Sequence, residues 1–277
     1  MKAILLGARG YLGEQFAKAY PGILTPSLDI ADMHAISALL DKEKPDVVIN
    51  CAGKTGRPNV DWCEDHKEET IHSNVTGALV LAEECLKRGV FLAHLSSGCI
   101  YTGDNDGKGF AETDTPNFEG SFYSRTKAWS DRILSEFPVL LLRIRMPFDG
   151  SLSDRNLLMK LRKYSRVLDS ENSITYLPEF LEGAKLLIDK RATGIYHLVN
   201  DGAISPYRLM ELYKEIVDPA HAFERLKEEK IFDVVKAARS NCILSNAKAK
   251  AAGITFSTAE DAARLALTAI AKSEKKI

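Results

Sequence analysis

The stretch KAILLGARGYLGEQF, residues Lys2 to Phe16, decides the fold. Lys2 to Leu6 is a short apolar run with the character of a buried strand. It runs into Gly7-Ala8-Arg9-Gly10-Tyr11-Leu12-Gly13, and Tyr11 to Tyr20 then has the pattern of a helix that stops at Pro21-Gly22. GxxGxxG at a first strand-to-helix turn meets a specific physical need. Side chains there would keep a pyrophosphate away from the backbone N–H groups of a helix N-terminus, where the helix dipole favours an anion. Glycines in this pattern, opening a βαβ unit, form a dinucleotide-binding loop.

Outward from that loop, strand and helix patterns alternate. Strands are expected at Gly22 to Thr25, Asp46 to Asn50, Val90 to Leu95 and Val139 to Ile144. Helices are expected at Asp32 to Lys42, His66 to Arg88 (one long helix) and Phe122 to Glu136. Short β-rich runs between helices imply a parallel sheet covered on both faces. After Pro147 helical patterns dominate, around Asn156 to Lys163, Pro178 to Asp189, Pro206 to Val217 and Thr258 to Ala271, with short strands near Val167 and Ile195. The expected fold is therefore α/β: a Rossmann-type doubly wound parallel sheet over residues 1–147, and a smaller, mainly helical substrate-binding lobe over 148–277. Crossings of the chain between the lobes are allowed for.

Which nicotinamide cofactor the loop takes depends on the second strand. An acidic residue closing it would hold the adenosine ribose hydroxyls and repel a 2′-phosphate. The strand instead ends Thr25-Pro26-Ser27, and Arg9 in the loop can pair with a 2′-phosphate. This favours NADPH, with NADH as the alternative. Gly7, Arg9, Gly10, Tyr11, Leu12 and Gly13 are the loop candidates, and Asp29 and Ile30 suit the adenine. Asn50-Cys51-Ala52-Gly53 closes the next strand, where Cys51, Ala52 and Gly53 let a backbone approach the cofactor. Asn74, within the long helix, is a further cofactor-side candidate and reads as a sheet-bonding or proton-relay side chain, or equally as a satisfied structural amide.

Tyr123-Ser124-Arg125-Thr126-Lys127 is a YxxxK motif. Four residues are just over one helical turn, so Tyr123 and Lys127 share a face. A free tyrosine, pKa ~10, is a poor proton donor at neutral pH, and an ammonium beside it stabilises the phenolate. The pair can then give a proton to a carbonyl oxygen as hydride reaches its carbon. Ser96-Ser97 ends the strand before it, at the carboxyl edge where ligands bind in such sheets. Ser97 is the candidate to hold the substrate carbonyl.

Composition bounds the rest. A formal net charge of -1 argues against nucleic acid as the main partner. The five cysteines form no CxxC pair, so no metal cluster is expected. No apolar run approaches the ~20 residues that span a bilayer. A fold starting at Lys2, with an odd number of thiols, points to a reducing cytoplasm. A homodimer is an open expectation.

Together GxxGxxG, NCAG, the serine strand and YxxxK resemble the extended short-chain dehydrogenase/reductase superfamily, and within it the dTDP-4-dehydrorhamnose reductase group. The plant-type nucleotide-rhamnose synthases, bifunctional epimerase-reductases, are more similar still. TGRPNVDWCE (Thr55 to Glu64), GCIY (Gly98 to Tyr101), PNFEGSFYSRTKA (Pro116 to Ala128), RIRMP (Arg143 to Pro147) and RSNCILS (Arg239 to Ser245) carry that resemblance. It implies a UDP- or dTDP-4-keto-6-deoxy-D-glucose substrate, epimerised at C3 and C5 and then reduced at C4 by NADPH. It assigns the epimerase acid–base work to Cys99 and Lys160, and substrate contacts to Arg57, Asn59, Ser97 and Arg239, the last at the pyrophosphate. Without the family, Cys99 is a small core residue and Lys160 a solvated helix charge. By alternation along a strand, Cys99 would share the face of Ser97 if the strand persists that far.

Two other readings follow from the same residues. One is a plain 4-reductase that needs a separate epimerase, distinguished by Cys99 and Lys160. The other is a non-catalytic regulatory subunit of this fold, which the intact Ser97, Tyr123 and Lys127 argue against. UDP and dTDP are not distinguished by the sequence.

Overall fold

The computed structural model describes residues 1–227, 229–230 and 235–275. In chain order the elements are β1 (Ala3–Leu6), α1 (Tyr11–Ala19), α2 (Met33–Glu43), β2 (Val47–Asn50), α3 (Trp62–Asp65), α4 (Lys67–Ile71), a π-helical turn (His72–Thr76), α5 (Gly77–Lys87), β3 (Phe91–Ser97), α6 (Phe122–Leu134) and β4 (Leu140–Ile144). There follow β5 (Pro147–Phe148), α7 (Leu157–Leu161), β6 (Arg166–Leu168), β7 (Thr175–Tyr176), α8 (Leu177–Asp189), β8 (Gly194–His197), α9 (Pro206–Ile216), β9 (Glu224–Leu226), α10 (Ala247–Ala251) and α11 (Ala259–Glu274).

By packing, the chain divides into two compact units. The first is 1–100, 115–143 and 184–196; the second is 101–114, 144–183 and 197–277. The central sheet has the order β1-β2-β3-β4-β8, and β1, β2 and β3 pair in parallel. β2 and β3 are buried along their whole length, as strands covered on both faces must be. One core of the first unit gathers Ile4, Leu6 and Val48 from the strands with Ile36, Leu40, Leu81 and Cys85 from α2 and α5. In the second unit Leu209, Met210 and Tyr213 of α9 pack with Ala262, Ala266 and Ile270 of α11, over Phe148 and Val167.

Two local expectations are corrected. Gly22 to Thr25 is not a strand: only Leu24 bridges Ile4, through Leu5 N–H to Leu24 O at 2.8 Å and Leu24 N–H to Ala3 O at 3.2 Å. Pro21 and Pro26 flank it, and a residue without an N–H cannot extend a ladder. That bridge lies on one side of β1 and β2 lies on the other, so the chain reverses its winding at β1. Ligands bind beside such a reversal, at the carboxyl ends of the strands. The second correction concerns the form of the helix expected over His66 to Arg88. It runs continuously from Lys67 to Lys87, but one turn of it, His72–Thr76, is π-helical and holds Asn74. Among the described residues no helix is long and apolar enough to cross a membrane.

Candidate active site

The three loop glycines are required for three different reasons. Gly7 has φ +77°, and a Cβ there would stand 2.4 Å from Ala52 N, so the loops after β1 and β2 touch backbone to backbone. A Cβ on Gly13 would stand 2.2 Å from Gly7 O, so that glycine lets α1 lie against the loop. Gly10 is different. It is the exposed N-cap of α1, with no side-chain cap, and a Cβ there would meet only Gly7 O, at 3.2 Å. Its missing side chain keeps the helix N-terminus open to an anion. The cradle suits the pyrophosphate of a dinucleotide.

The other cofactor candidates are placed as follows. Arg9 is exposed beside Gly10, and Tyr11 and Leu12 open α1 half-buried. Ile30 is buried against Gly77, where a Cβ would stand 2.5 Å from it, so its side chain belongs to the core. Asp29 accepts the Ala31 N–H at 3.0 Å and pairs with His72 Nε2 at 2.9 Å, and these two contacts hold its carboxyl below the usual range. Burial pushes the Cys51 thiol up, so it stays protonated beside Ala52 and Gly53. Asn74 is 2% exposed and fully engaged, with Lys54 and with Thr126.

The strand β3 and helix α6 hold the catalytic candidates Ser97, Tyr123 and Lys127. Ser121 caps α6 by accepting the Ser124 N–H at 3.1 Å, and Glu64 Oε1 accepts the Phe122 N–H at 2.6 Å. Those two contacts fix the first turn of the helix, where Tyr123 sits. One turn on, the Lys127 ammonium or amine is buried and donates to Leu95 O at 3.0 Å, which ties α6 to β3. Another turn on, Asp131 accepts from Ser96 Oγ at 2.5 and 2.6 Å and from Arg143 Nε at 2.8 Å. Burial is the largest influence on Lys127 and holds it below the usual lysine range. Asp131 and Cys99 pull it up, and Arg143 pushes it down.

Ser97 is the last residue of β3, so the strand does not persist to Cys99. Cys99 lies in the turn that follows, and its N–H returns to Ser97 Oγ at 3.1 Å. Their proximity comes from that turn and not from alternation along a strand. The residues brought together in the first unit are thus Ser97, Cys99 and Lys127, with Asn74 bonded to the residue before Lys127. Arg57 and Asn59 lie in the loop before α3, where Asn59 Oδ1 accepts the Asp61 N–H at 2.8 Å and closes its own turn. Lys160, exposed on α7, and Arg239, which donates to Ala237 O at 2.8 Å, belong to the second unit. Arg145 braces the Arg239 segment through Ser240 O, and Ser240 Oγ donates to Tyr101 O at 2.6 Å.

Sequence reasoning passed over His94, Asp131 and Glu64. A lone histidine inside FLAHLSS reads as core, and its role becomes visible only when α6 is laid across the strand. Asp131 had a signal: it stands four residues beyond Lys127, on the same helical face.

Comparison with known proteins adds the following. The family model described as the RmlD substrate binding domain matches residues 1–272. A bifunctional dTDP-4-dehydrorhamnose 3,5-epimerase/dTDP-4-dehydrorhamnose reductase of Arabidopsis thaliana is 41% identical over 228 residues, 80% of this chain and 76% of the relative. A trifunctional UDP-glucose 4,6-dehydratase/UDP-4-keto-6-deoxy-D-glucose 3,5-epimerase/UDP-4-keto-L-rhamnose-reductase of the same plant is 38% identical over 259 residues, 90% of this chain; the match spans only 39% of that longer protein. Among solved structures, a UDP-rhamnose synthase from Acanthamoeba polyphaga mimivirus superposes with a TM-score of 0.91 at 30% identity, covering 97% of this chain and 99% of the other.

Proposed function

The chain belongs to the RmlD substrate binding domain family, and from that premise we propose that it is a bifunctional 3,5-epimerase/4-reductase. Its substrate is a nucleotide-linked 4-keto-6-deoxy-D-glucose and its product the L-rhamnose nucleotide. The observation that carries this reading is the Cys99 N–H on Ser97 Oγ, which ties the backbone of the thiol-bearing residue to the hydroxyl that the reductase reading assigns to the C4 carbonyl.

The loop Gly7 to Gly13, with Arg9 at its exposed edge, would hold the cofactor pyrophosphate and 2′-phosphate, and Cys51 to Gly53, whose backbone packs on Gly7, would line the same site. NADPH, when bound, supplies the hydride. Ser97 Oγ accepts from Cys99, which leaves its own hydrogen to polarise the C4 ketone. Tyr123 gives its phenolic proton to the C4 oxygen as the carbon is reduced. The same ketone acidifies the C–H bonds at C3 and C5. Cys99 and Lys160 are the two acid–base groups that act there. Arg239 binds the pyrophosphate of the sugar nucleotide, as a guanidinium fork suits two phosphate oxygens.

The test is to incubate the pure protein in heavy water with NADPH and, separately, with UDP- and dTDP-4-keto-6-deoxyglucose, and to identify the sugar formed. An L-rhamnose nucleotide carrying deuterium at C3 and C5 is expected. A 6-deoxyhexose reduced at C4 with neither centre inverted would leave a plain reductase. No turnover of either nucleotide would sink the reading.

A further inference from the structure

One turn past the Tyr123–Lys127 pair, α6 makes a second attachment to β3 that the reaction steps do not use. Lys127 donates to Leu95 O at 3.0 Å, and Asp131, on the same helical face, accepts from the hydroxyl of the next strand residue, Ser96, at 2.5 and 2.6 Å. The Ser96 oxygen keeps its lone pairs, and the Ser97 N–H donates to it at 2.6 Å. On its other side Asp131 accepts from Arg143 Nε at 2.8 Å, on the neighbouring strand β4. A row of Ser97 N–H, Ser96 hydroxyl, Asp131 carboxylate and Arg143 guanidinium therefore joins β3, α6 and β4. It is buried throughout, with Asp131 1% and Arg143 3% exposed. A brace between α6 and β4 does not need charge, because apolar residues of similar volume often stabilise as well as a buried ion pair. Apolar residues would not, however, answer the charge of Lys127. Lys127 and Arg143 put two cations into one dry region, and arginine does not release its proton, so without Asp131 the repulsion falls on the lysine.

We propose that Asp131 is a positioning residue for the reductive set: through Ser96 it fixes the end of β3 that carries Ser97, and it is the buried counter-charge that lets Lys127 stand beside Tyr123 as an ammonium. The inference rests on the reductase reading and deepens it. The other groups facing Lys127 do not replace Asp131. His94, on β3, has a ring nitrogen 3.4 Å from Nζ, but its burial and the charge of the lysine keep that ring neutral. Cys99, in the turn after β3, favours the ammonium in the same sense as Asp131 but less strongly, and Arg143 opposes both. Tyr123, on the same helix, is a neutral phenol when reduction starts. Because α6 is anchored on two successive residues of β3, the helix bearing Tyr123 and the strand end bearing Ser97 are held in one register.

The first readout uses the cofactor-free protein and needs no turnover. The NMR shift of Lys127 Cε is followed against pH, with the signal assigned by its loss in Lys127→Met. Asp131→Asn keeps an oxygen for Ser96 but removes the charge, and the Lys127 midpoint should fall, by about tenfold or more in proton affinity. Arg143→Gln removes the opposing cation, and the midpoint should rise. If Asp131 only packs α6 on the sheet, Asp131→Asn loosens the core, admits water and moves the midpoint up toward the ordinary lysine value; a rise, or no change, overturns the proposal. Breaking one side of a buried pair is costly. Should Asp131→Asn not fold, the double variant Asp131→Asn/Arg143→Gln removes both charges and leaves two amides that can bond each other. Its midpoint should still lie below wild type, because Asp131 acts on Lys127 more strongly than Arg143 does; a midpoint at or above wild type overturns the proposal. The second readout concerns Ser97. Ser96→Ala keeps both charges and removes the link to the Ser97 N–H. The kcat for reduction of pre-epimerised substrate should fall by about tenfold to a hundredfold, the scale on which a small misplacement of a catalytic group is felt, with NADPH affinity near wild type. A wild-type kcat overturns the Ser97 half. If the wild type itself reduces neither nucleotide, that half falls with the reductase reading, and the Lys127 midpoints decide the other half by themselves.

Discussion

Asn74 grips both main-chain groups of Lys54: its Oδ1 accepts the Lys54 N–H at 2.7 Å and its Nδ2 donates to Lys54 O at 2.9 Å. One amide thereby does for Lys54 what a neighbouring strand would do, directly after Cys51-Ala52-Gly53. Nδ2 also reaches Thr126 Oγ1 at 3.2 Å, beside Lys127. A side chain in the π-helical turn thus joins the loop after β2 to the helix of the YxxxK motif. Such turns recur at functional sites because the extra residue redirects a side chain.

Asn74→Ala is expected to remove both partners of the part-buried Lys54 N–H and C=O, at about 1 kcal/mol for each hydrogen bond. Thermal unfolding should show a clear loss of stability, and NADPH titration should show weaker binding because the adjoining Cys51–Gly53 loop is no longer held. An unchanged melting temperature together with unchanged NADPH affinity would refute this account of Asn74.

The glycine loop makes a sharper contrast. A methyl group on Gly13 collides with backbone that cannot give way, 2.2 Å from Gly7 O, whereas on Gly10 it meets the same oxygen at 3.2 Å and otherwise open space. Gly10 has φ -78°, which alanine adopts without strain. Gly10→Ala should therefore fold with near-normal stability and bind NADPH more weakly, by the loss of room for the pyrophosphate. Gly13→Ala should destabilise the first βαβ unit outright. Calorimetry on the two variants checks both halves, and equal stability losses would reject the division of roles.

These details show where the sequence was legible. The loop from Gly7 to Gly13, the buried runs at Val47–Asn50 and Leu140–Ile144 and the Tyr123–Lys127 spacing each depend on neighbours close along the chain, so pattern and period reveal them. His94 and Asp131 depend on which helix lies across which strand, and no local pattern records that. Cys99 shows the same limit. Its closeness to Ser97 was expected from strand alternation, and the structure achieves it through a turn that begins at Gly98. The Leu24 segment fell short of a strand because prolines on both sides limit the ladder.

Tyr123→Phe removes the proposed proton donor and nothing that α6 needs to form, since the helix is capped by Ser121 and Glu64. NADPH binding and stability should be near wild type, and C4 reduction should fall by ~10²–10⁴-fold, the usual size of a general-acid contribution. Single-turnover oxidation of NADPH in the presence of pre-epimerised substrate measures this directly. A wild-type rate would remove Tyr123 from the mechanism.

Epimerisation separates the two enzyme readings. Proton removal and return at C3 and C5 need two groups besides the reductive set, and Cys99 and Lys160 are the residues assigned. The Cys99 backbone is anchored on Ser97 Oγ, so Cys99→Ala removes the thiol while the N–H that holds the turn remains. Lys160 is exposed on α7, so Lys160→Ala should cost little stability. In heavy water, each variant should fail to introduce deuterium at C3 and C5, read by mass spectrometry or proton NMR of the sugar. Each should still oxidise NADPH when given substrate already inverted at both centres, because Ser97, Tyr123 and Lys127 are untouched. A variant that exchanges deuterium at the wild-type rate clears that residue of the role. Loss of exchange together with equal loss of reduction would mean that the substitution damaged binding and not the acid–base step.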